Sequence, residues 1–341
     1  MRCSRSASLD VTEAGSATVV RAPNHLGDVV MALPALRASH ADVVVASALA
    51  PLLGMADLPG GVLALPSGTR GFMQVARKLR SRRYESGTLL APSFSSALLF
   101  RVGGVQRIRG AGTDRRALLL DDALPHTISA GIHRSVLYWQ LVTAEVVTEP
   151  PVPTLDVPEA ARATLRTLCP DDGRLRAGVF PGSNAPSRRW DTARFAELAA
   201  KLNGAGWQVL VFGGPADARL TAQVAGVAAV DLGGRTDLCT LAAGLASCAV
   251  VVSNDSGPMH LAAAVGAPVL GLFGAGDPVA TRPLGEHCQV LRHPELPCVP
   301  CVKNSCPRRG PGYILPDAER ECLRLIEVKD VLMAVQRMAA R

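Results

Sequence analysis

Along this chain, short apolar runs alternate with longer stretches in which apolar positions recur every three or four residues. Runs of four or five mostly apolar residues fit strands buried on both faces, and the longer spacing fits helices with one face on a core. The runs predict strands over residues 17–21, 42–46, 88–91, 177–180, 208–212, 249–253 and 269–273. Helices are expected over 28–38, 72–82, 192–202, 238–247 and 259–265, with a last one over 328–340. Strand–helix alternation of this kind implies parallel sheets joined by right-handed crossovers, an α/β fold.

The alternation breaks once, at Thr148-Glu149-Pro150-Pro151-Val152-Pro153. Proline removes a backbone donor and fixes φ, so this stretch is expected outside either sheet and marks the domain boundary. The expected domains are 1–150 and 151–327, with a terminal helix in 328–341 that could pack across the boundary. Two Rossmann-like parallel-sheet halves would then face a central cleft, with ligands outside the carboxyl ends of the strands.

At 341 residues the chain is long enough for two cores, and 48% hydrophobic with 19% charged residues is an ordinary globular composition. Aromatics are only 4%, so Ala, Val and Leu must build the core. The net charge of +7 favours phosphate-bearing partners, whether nucleotide, nucleic acid, anionic lipid or phosphorylated glycan. Its concentrations, 77–83, 107–116 and Arg188-Arg189, lack the interleaved aromatics that stack on bases, which argues against nucleic acid. Residues 1–22 include Asp10 and Glu13 and no apolar core, unlike a secretory signal. The uncharged stretch 256–276 is broken by Pro258, Pro268 and glycines, unlike a membrane span. A cytoplasmic setting is expected, where the nine cysteines are not a disulfide framework.

Two turns in the second half can hold an anion. The strand over 177–180 ends in Pro181-Gly182-Ser183, followed by Arg188-Arg189-Trp190. A small turn exposes backbone N–H groups, the Ser183 hydroxyl adds a donor, and Arg188 adds a forked positive charge. The strand over 249–253 ends in Asn254-Asp255-Ser256-Gly257-Pro258-Met259-His260, where Ser256 or Asp255 is placed to cap a helix whose positive end attracts phosphate. His260 lies one turn further in, as a structural hydrogen-bonder or a sugar or phosphate contact. Gly213-Gly214-Pro215-Ala216-Asp217 and Gly274-Ala275-Gly276-Asp277 end two more strands; Gly182, Gly213, Asp217 and Asp277 are weaker nucleotide-binding candidates. In the first half, Asn24-His25-Leu26-Gly27-Asp28 lacks both the dinucleotide glycine spacing and the Walker lysine. Asp28 at its helix start either complements the dipole or serves as a general base.

These stretches together resemble glycosyltransferase family 9, the ADP-heptose:lipopolysaccharide heptosyltransferases, and the type II enzymes more than type I. The resemblance runs from about Val19 to the final helix, on Asn24–Leu36, Pro181–Trp190 and Ser253–Leu261. It implies a GT-B fold with an N-terminal acceptor domain and a C-terminal nucleotide-sugar domain. It implies an inverting transferase that needs no bound metal or other cofactor for catalysis. Carried over, Asp28 matches the catalytic base, Ser183 and Arg188 the diphosphate contacts, and Asp255, Ser256, Gly257 and His260 the donor-binding turn. The family usually has Lys where Arg188 stands, which keeps the charge and changes its geometry. The implied partners are ADP-heptose, a lipid-linked glycan acceptor and the inner-leaflet membrane surface, the last met by the basic segments 77–83 and 107–116. Alternatives are another nucleotide sugar in the same family or a non-catalytic nucleotide- or nucleic-acid-binding protein. Cys298, Cys301, Cys306 and Cys322 form a CxxC followed by two more thiols, a set that can build a structural zinc site.

Overall fold

The computed structural model describes residues 17–112, 115–124, 131–149, 151–306 and 320–340. The readings that fall on residues 1–16 and on Pro150 therefore lie outside the described residues. The chain divides into two compact units, Met1–Asp156 and Val157–Arg341, just past the proline-rich stretch.

The first unit holds β1 (Thr18–Arg21), α1 (Leu26–Ala38), β2 (Asp42–Ala46), α2 (Ala50–Leu53), β3 (Val62–Leu65), α3 (Gly68–Arg82), β4 (Ser86–Leu89), α4 (Phe94–Val102), β5 (Arg107–Ala111), β6 (Asp122–Leu124) and α5 (Arg134–Thr143). Its six strands lie in the order β3-β2-β1-β4-β5-β6, every pair parallel. The second unit holds α6 (Glu159–Leu168), β7 (Arg176–Phe180), α7 (Thr192–Gly204), β8 (Gln208–Val211), α8 (Ala218–Ala225), β9 (Val230–Asp231), α9 (Leu238–Ala246), β10 (Val250–Asn254), α10 (Gly257–Ala264), β11 (Val269–Leu272), α11 (Pro278–Thr281), β12 (Cys288–Leu291), α12 (Glu321–Arg324) and α13 (Val328–Ala339). Its sheet runs β12-β11-β10-β7-β8-β9, again all parallel.

Counted from its own first strand, each sheet has the same doubly wound order. The progression reverses between β1 and β4 in one sheet and between β7 and β10 in the other. At such a reversal the two following loops diverge and leave a crevice at the strands' carboxyl ends, the usual ligand position in open α/β sheets. Every residue of β7, β8, β10 and β11 is buried, as helices on both faces require.

Local signals set the helices that matter here. Asp191 caps α7 by accepting from the Ala193 and Arg194 N–H groups, and Phe195, Leu198, Ala199 and Leu202 recur at helical spacing on its buried face. They meet Val331, Val335 and Met338 of α13 in the second unit's core. α1 is buried on nearly every side, from Val29 to Leu36, and so reads as an internal helix rather than a surface one.

Candidate functional site

The turns after β7 and β10 leave neighbouring strands, with Phe180 opposite Ser253, so they emerge side by side. One fully buried amide ties them together. Asn254 Nδ2 donates to the Pro181 carbonyl at 2.7 Å, and its Oδ1 accepts from the Trp190 N–H at 2.9 Å. Both ends of the loop 181–190 are therefore held to the tip of β10. Trp190 anchors the far end: its Nε1 donates to the Ile326 carbonyl at 3.0 Å, and its ring meets Phe195 edge-on at 4.8 Å. Arg189 Nε donates to the Ser183 carbonyl at 2.7 Å and closes the loop on itself.

Within this frame, Ser183, Arg188 and Asp255 come together. Ser183 Oγ is 3.5 Å from the Asp255 carbonyl. Arg188 Nη1 lies 3.1 Å from Asp255 Oδ2; the carboxylate side chain is 4% exposed and the Arg side chain 25%. The charge expected to meet a phosphate is thus already directed by a buried partner, while Arg188 Nε has no hydrogen-bond partner among the described residues. The turn after β11 closes over this pair: a Cβ on Gly276 would stand 1.9 Å from Asp255 Oδ2, so only glycine fits there.

Ser256 occupies the N-cap position of α10 in an extended conformation, but the expected side-chain cap does not form. Its Oγ instead lies 3.3 Å from Ser253 Oγ, so the helix start is not covered by its own cap residue. Gly257 opens the helix, Pro258 follows, and His260 is buried beside Met259 and Leu261. The weaker candidates serve their own loops. Asp217 Oδ2 accepts from the Gly214 N–H at 3.1 Å and presses on Gly182, where a Cβ would come within 2.9 Å of it. Gly213 faces the same side chain, and Asp277 caps α11 by accepting from Val279 N–H at 3.0 Å.

Cys298, Cys301, Cys306 and Cys322 line one cavity of about 20 Å³ together with Ser187, Ala275, Val299 and Arg320. The segment carrying the first three docks on the turns after β7 and β11, through Ser187 N–H to the Asn304 carbonyl (3.1 Å) and Val302 N–H to the Ala275 carbonyl (2.8 Å). Burial, reinforced by the other three sulfurs, pushes the Cys322 thiol up to about 11. Among the described residues no group of three or more His, Cys, Asp or Glu side chains is arranged as metal ligands.

In the first unit, Asp28 sits in the first turn of α1, its side chain 18% exposed. Arg134 Nη1 approaches its Oδ1 at 3.3 Å, and the buried Tyr138 phenol lies near enough for the Asp28 charge to push it up. The loop leading to α1 is built on Arg21, which donates to the Ala22 carbonyl (2.6 Å), the Val44 carbonyl (3.2 Å) and Asn24 Oδ1 (2.6 Å). Burial pushes this guanidinium down to about 10. Sequence reasoning singled out none of Arg21, Arg134, Tyr138 or Asn254 for these roles; a charged residue closing an apolar strand was the available signal for Arg21. The two basic segments also differ from expectation. Arg116 is 1% exposed and donates to the Ala91 and Ala111 carbonyls, and Arg82 and Arg109 pair with Asp42 and Asp122. Arg77, Lys78, Arg80 and Arg83 remain exposed along α3 and its end. No described helix is long and apolar enough to cross a membrane.

Comparison with known proteins bears on both units. The model of glycosyltransferase family 9 (heptosyltransferase) matches residues 72–310. Lipopolysaccharide heptosyltransferase 2 of Escherichia coli K12 is 28% identical over 304 residues, covering 80% of this chain and 87% of that protein. Lipooligosaccharide heptosyltransferase 2 of Haemophilus influenzae is 30% identical over 254 residues, covering 69% and 72%. The fold matches the solved E. coli ADP-heptose LPS heptosyltransferase II with a TM-score of 0.80 at 24% identity, over 95% of this chain and 98% of that one.

Proposed function

The chain belongs to glycosyltransferase family 9, the heptosyltransferases, and on that premise we propose that it moves heptose from ADP-heptose to a hydroxyl of the lipopolysaccharide inner core with inversion. The proposal extends to this chain what the names of its relatives say of them, lipopolysaccharide and ADP-heptose included. The observation that carries it is the Asn254 clamp, which holds the Ser183–Arg188 loop beside the start of α10. Hydroxyl, guanidinium and helix start are the groups a leaving diphosphate requires.

In this reading Asp28 takes the proton from the acceptor hydroxyl, and the freed oxygen attacks the anomeric carbon of the donor. The carbon–oxygen bond to ADP breaks from the opposite side, which inverts the centre. Charge growing on the diphosphate is met by Arg188, Ser183 and the α10 start, with Asp255, Ser256, Gly257 and His260 shaping the sugar end. These positive groups supply the stabilisation that a metal provides elsewhere, so the reaction is read as metal-independent. Gly182, Gly213, Asp217 and Asp277 border the nucleotide. The first unit serves the acceptor, and the exposed Arg77, Lys78 and Arg83 of the α3 region meet anionic lipid at the inner face of the cytoplasmic membrane.

Incubation with a panel of ADP-, UDP-, GDP- and CMP-linked sugars and an inner-core acceptor, read by mass spectrometry, tests the donor. ADP-heptose is expected to give a product one heptose heavier. Transfer from a different nucleotide sugar alone would retain the family and remove heptose from the account.

A further inference from the structure

We propose that Arg134 and Tyr138 of α5 are positioning residues that fix the Asp28 carboxylate for proton abstraction. This rests on the reading of Asp28 as the base. α1 and α5 pack along each other, and the start of α5 lies where Asp28 projects from the first turn of α1. Arg134 is the first residue of α5 and Tyr138 stands four residues on, one turn along the same face. Arg134 donates to Oδ1 at 3.3 Å, and the Tyr138 phenol lies near enough for the Asp28 charge to act on it.

A carboxylate in a first helical turn has freedom about two side-chain torsions, and a base with that freedom spends much of its time misaligned. The Arg134 bond from a second helix, with the Tyr138 phenol beside it, restricts that freedom, and a carboxylate with one lone pair so occupied keeps others free to accept a proton. Burial, and then the Asp28 charge, pushes the Tyr138 phenol well above its ordinary value, so it remains a donor. The chain has only three tyrosines, and this one is 5% exposed. Were Asp28 merely complementing the dipole of α1, it would need neither partner.

The experiment measures kcat and donor KM for Tyr138→Phe, Arg134→Ala and Arg134→Lys, alone and combined with Asp28→Ala, under single-turnover conditions. The single changes should lower kcat about 10- to 100-fold with donor KM within about twofold of the parent. Arg134→Lys should recover part of the loss, and none of the three should lower the residual rate of Asp28→Ala further. That non-additivity is the signature of acting through Asp28, and a merely structural role would not produce it. Arg134 is about half-exposed, so its variants carry the test if Tyr138→Phe fails to fold by circular dichroism. An unchanged kcat in the folded single variants, or full losses persisting on Asp28→Ala, overturns the positioning role alone. Near-normal transfer by Asp28→Ala overturns the base and this proposal together.

Discussion

Asn254→Ala removes the side chain that ties the turns after β7 and β10 together. Two buried hydrogen bonds disappear, at 2.7 Å to Pro181 and 2.9 Å from Trp190. Each contributes about 1 kcal/mol net, and each orphaned partner adds about 1–3 kcal/mol if it stays buried. Relaxation of the loop recovers part of this, which places the loss at about 2–5 kcal/mol. For a unit of this size that corresponds to roughly 5–15 °C in melting temperature. Asn254→Asp should fare no better: it keeps an acceptor for Trp190 N–H but sets an oxygen against the Pro181 carbonyl. Trp190 and Trp207 belong to the second unit and Trp139 to the first, so in a Trp139→Phe background tryptophan fluorescence during heating follows the second unit. A parallel scan with saturating ADP reads nucleotide binding as the added stabilisation. Both the ADP-free midpoint and the ADP-induced gain should fall. A variant that melts within about 1 °C of the parent and gains as much from ADP would refute the clamp, since the orphaned groups would then carry no cost.

Gly276→Ala forces a methyl to within 1.9 Å of Asp255 Oδ2; displacement of the carboxylate should cost about 1–3 kcal/mol and weaken ADP-sugar binding in calorimetry. An unchanged affinity would show that Asp255 does not need its present position. Burial pushes the Cys248 thiol up to about 12 from 9.0. A raised folded-state value means the unfolded chain loses its proton first as pH rises, so this contribution is full below pH 9 and declines between pH 9 and 12. Urea unfolding should show stability falling with a slope of up to about 1.4 kcal/mol per pH unit from this thiol. Cys248→Ala should flatten that limb, and an identical limb in both proteins would refute the assignment.

Much of the frame was legible in the sequence because the central strands are buried on both faces. β1, β2, β7, β8, β10 and β11 each carry a short apolar run, with polar residues confined to their ends. The strands the runs did not predict are β3, β5, β6, β9 and β12, four of them edges and one next to an edge. An edge strand needs less apolar surface; β5 alternates Arg107 and Arg109 with buried Ile108 and Gly110. β4 was displaced for a related reason: its polar Ser86 and Thr88 are only half-buried, so the reading began late, at Thr88, and ran on to Ala91.

The site was legible as turns but not as contacts. Glycine, proline and small polar residues at strand ends mark loops that admit an anion, and they marked Ser183, Ser256 and Gly257. Nothing in a linear sequence says that Asn254 reaches back to Pro181, or that Arg188 and Asp255 pair across a gap of many residues. α5 was missed because its cap is His133, an unusual N-cap residue, and its inward face mixes Tyr138 with Ser135 and Leu141. The cysteine spacing did indicate proximity, since Cys298, Cys301, Cys306 and Cys322 line one cavity.

The most direct test of the account is heptose transfer from ADP-heptose to an inner-core acceptor by the parent chain and by Asp28→Asn, followed by mass spectrometry, with the ADP-induced melting shift recorded for both. The account predicts transfer by the parent, a loss of about 10²- to 10⁴-fold in Asp28→Asn, and equal ADP stabilisation, because the base and the diphosphate site are separate sets of residues. Transfer by Asp28→Asn at the parent's rate would contradict it.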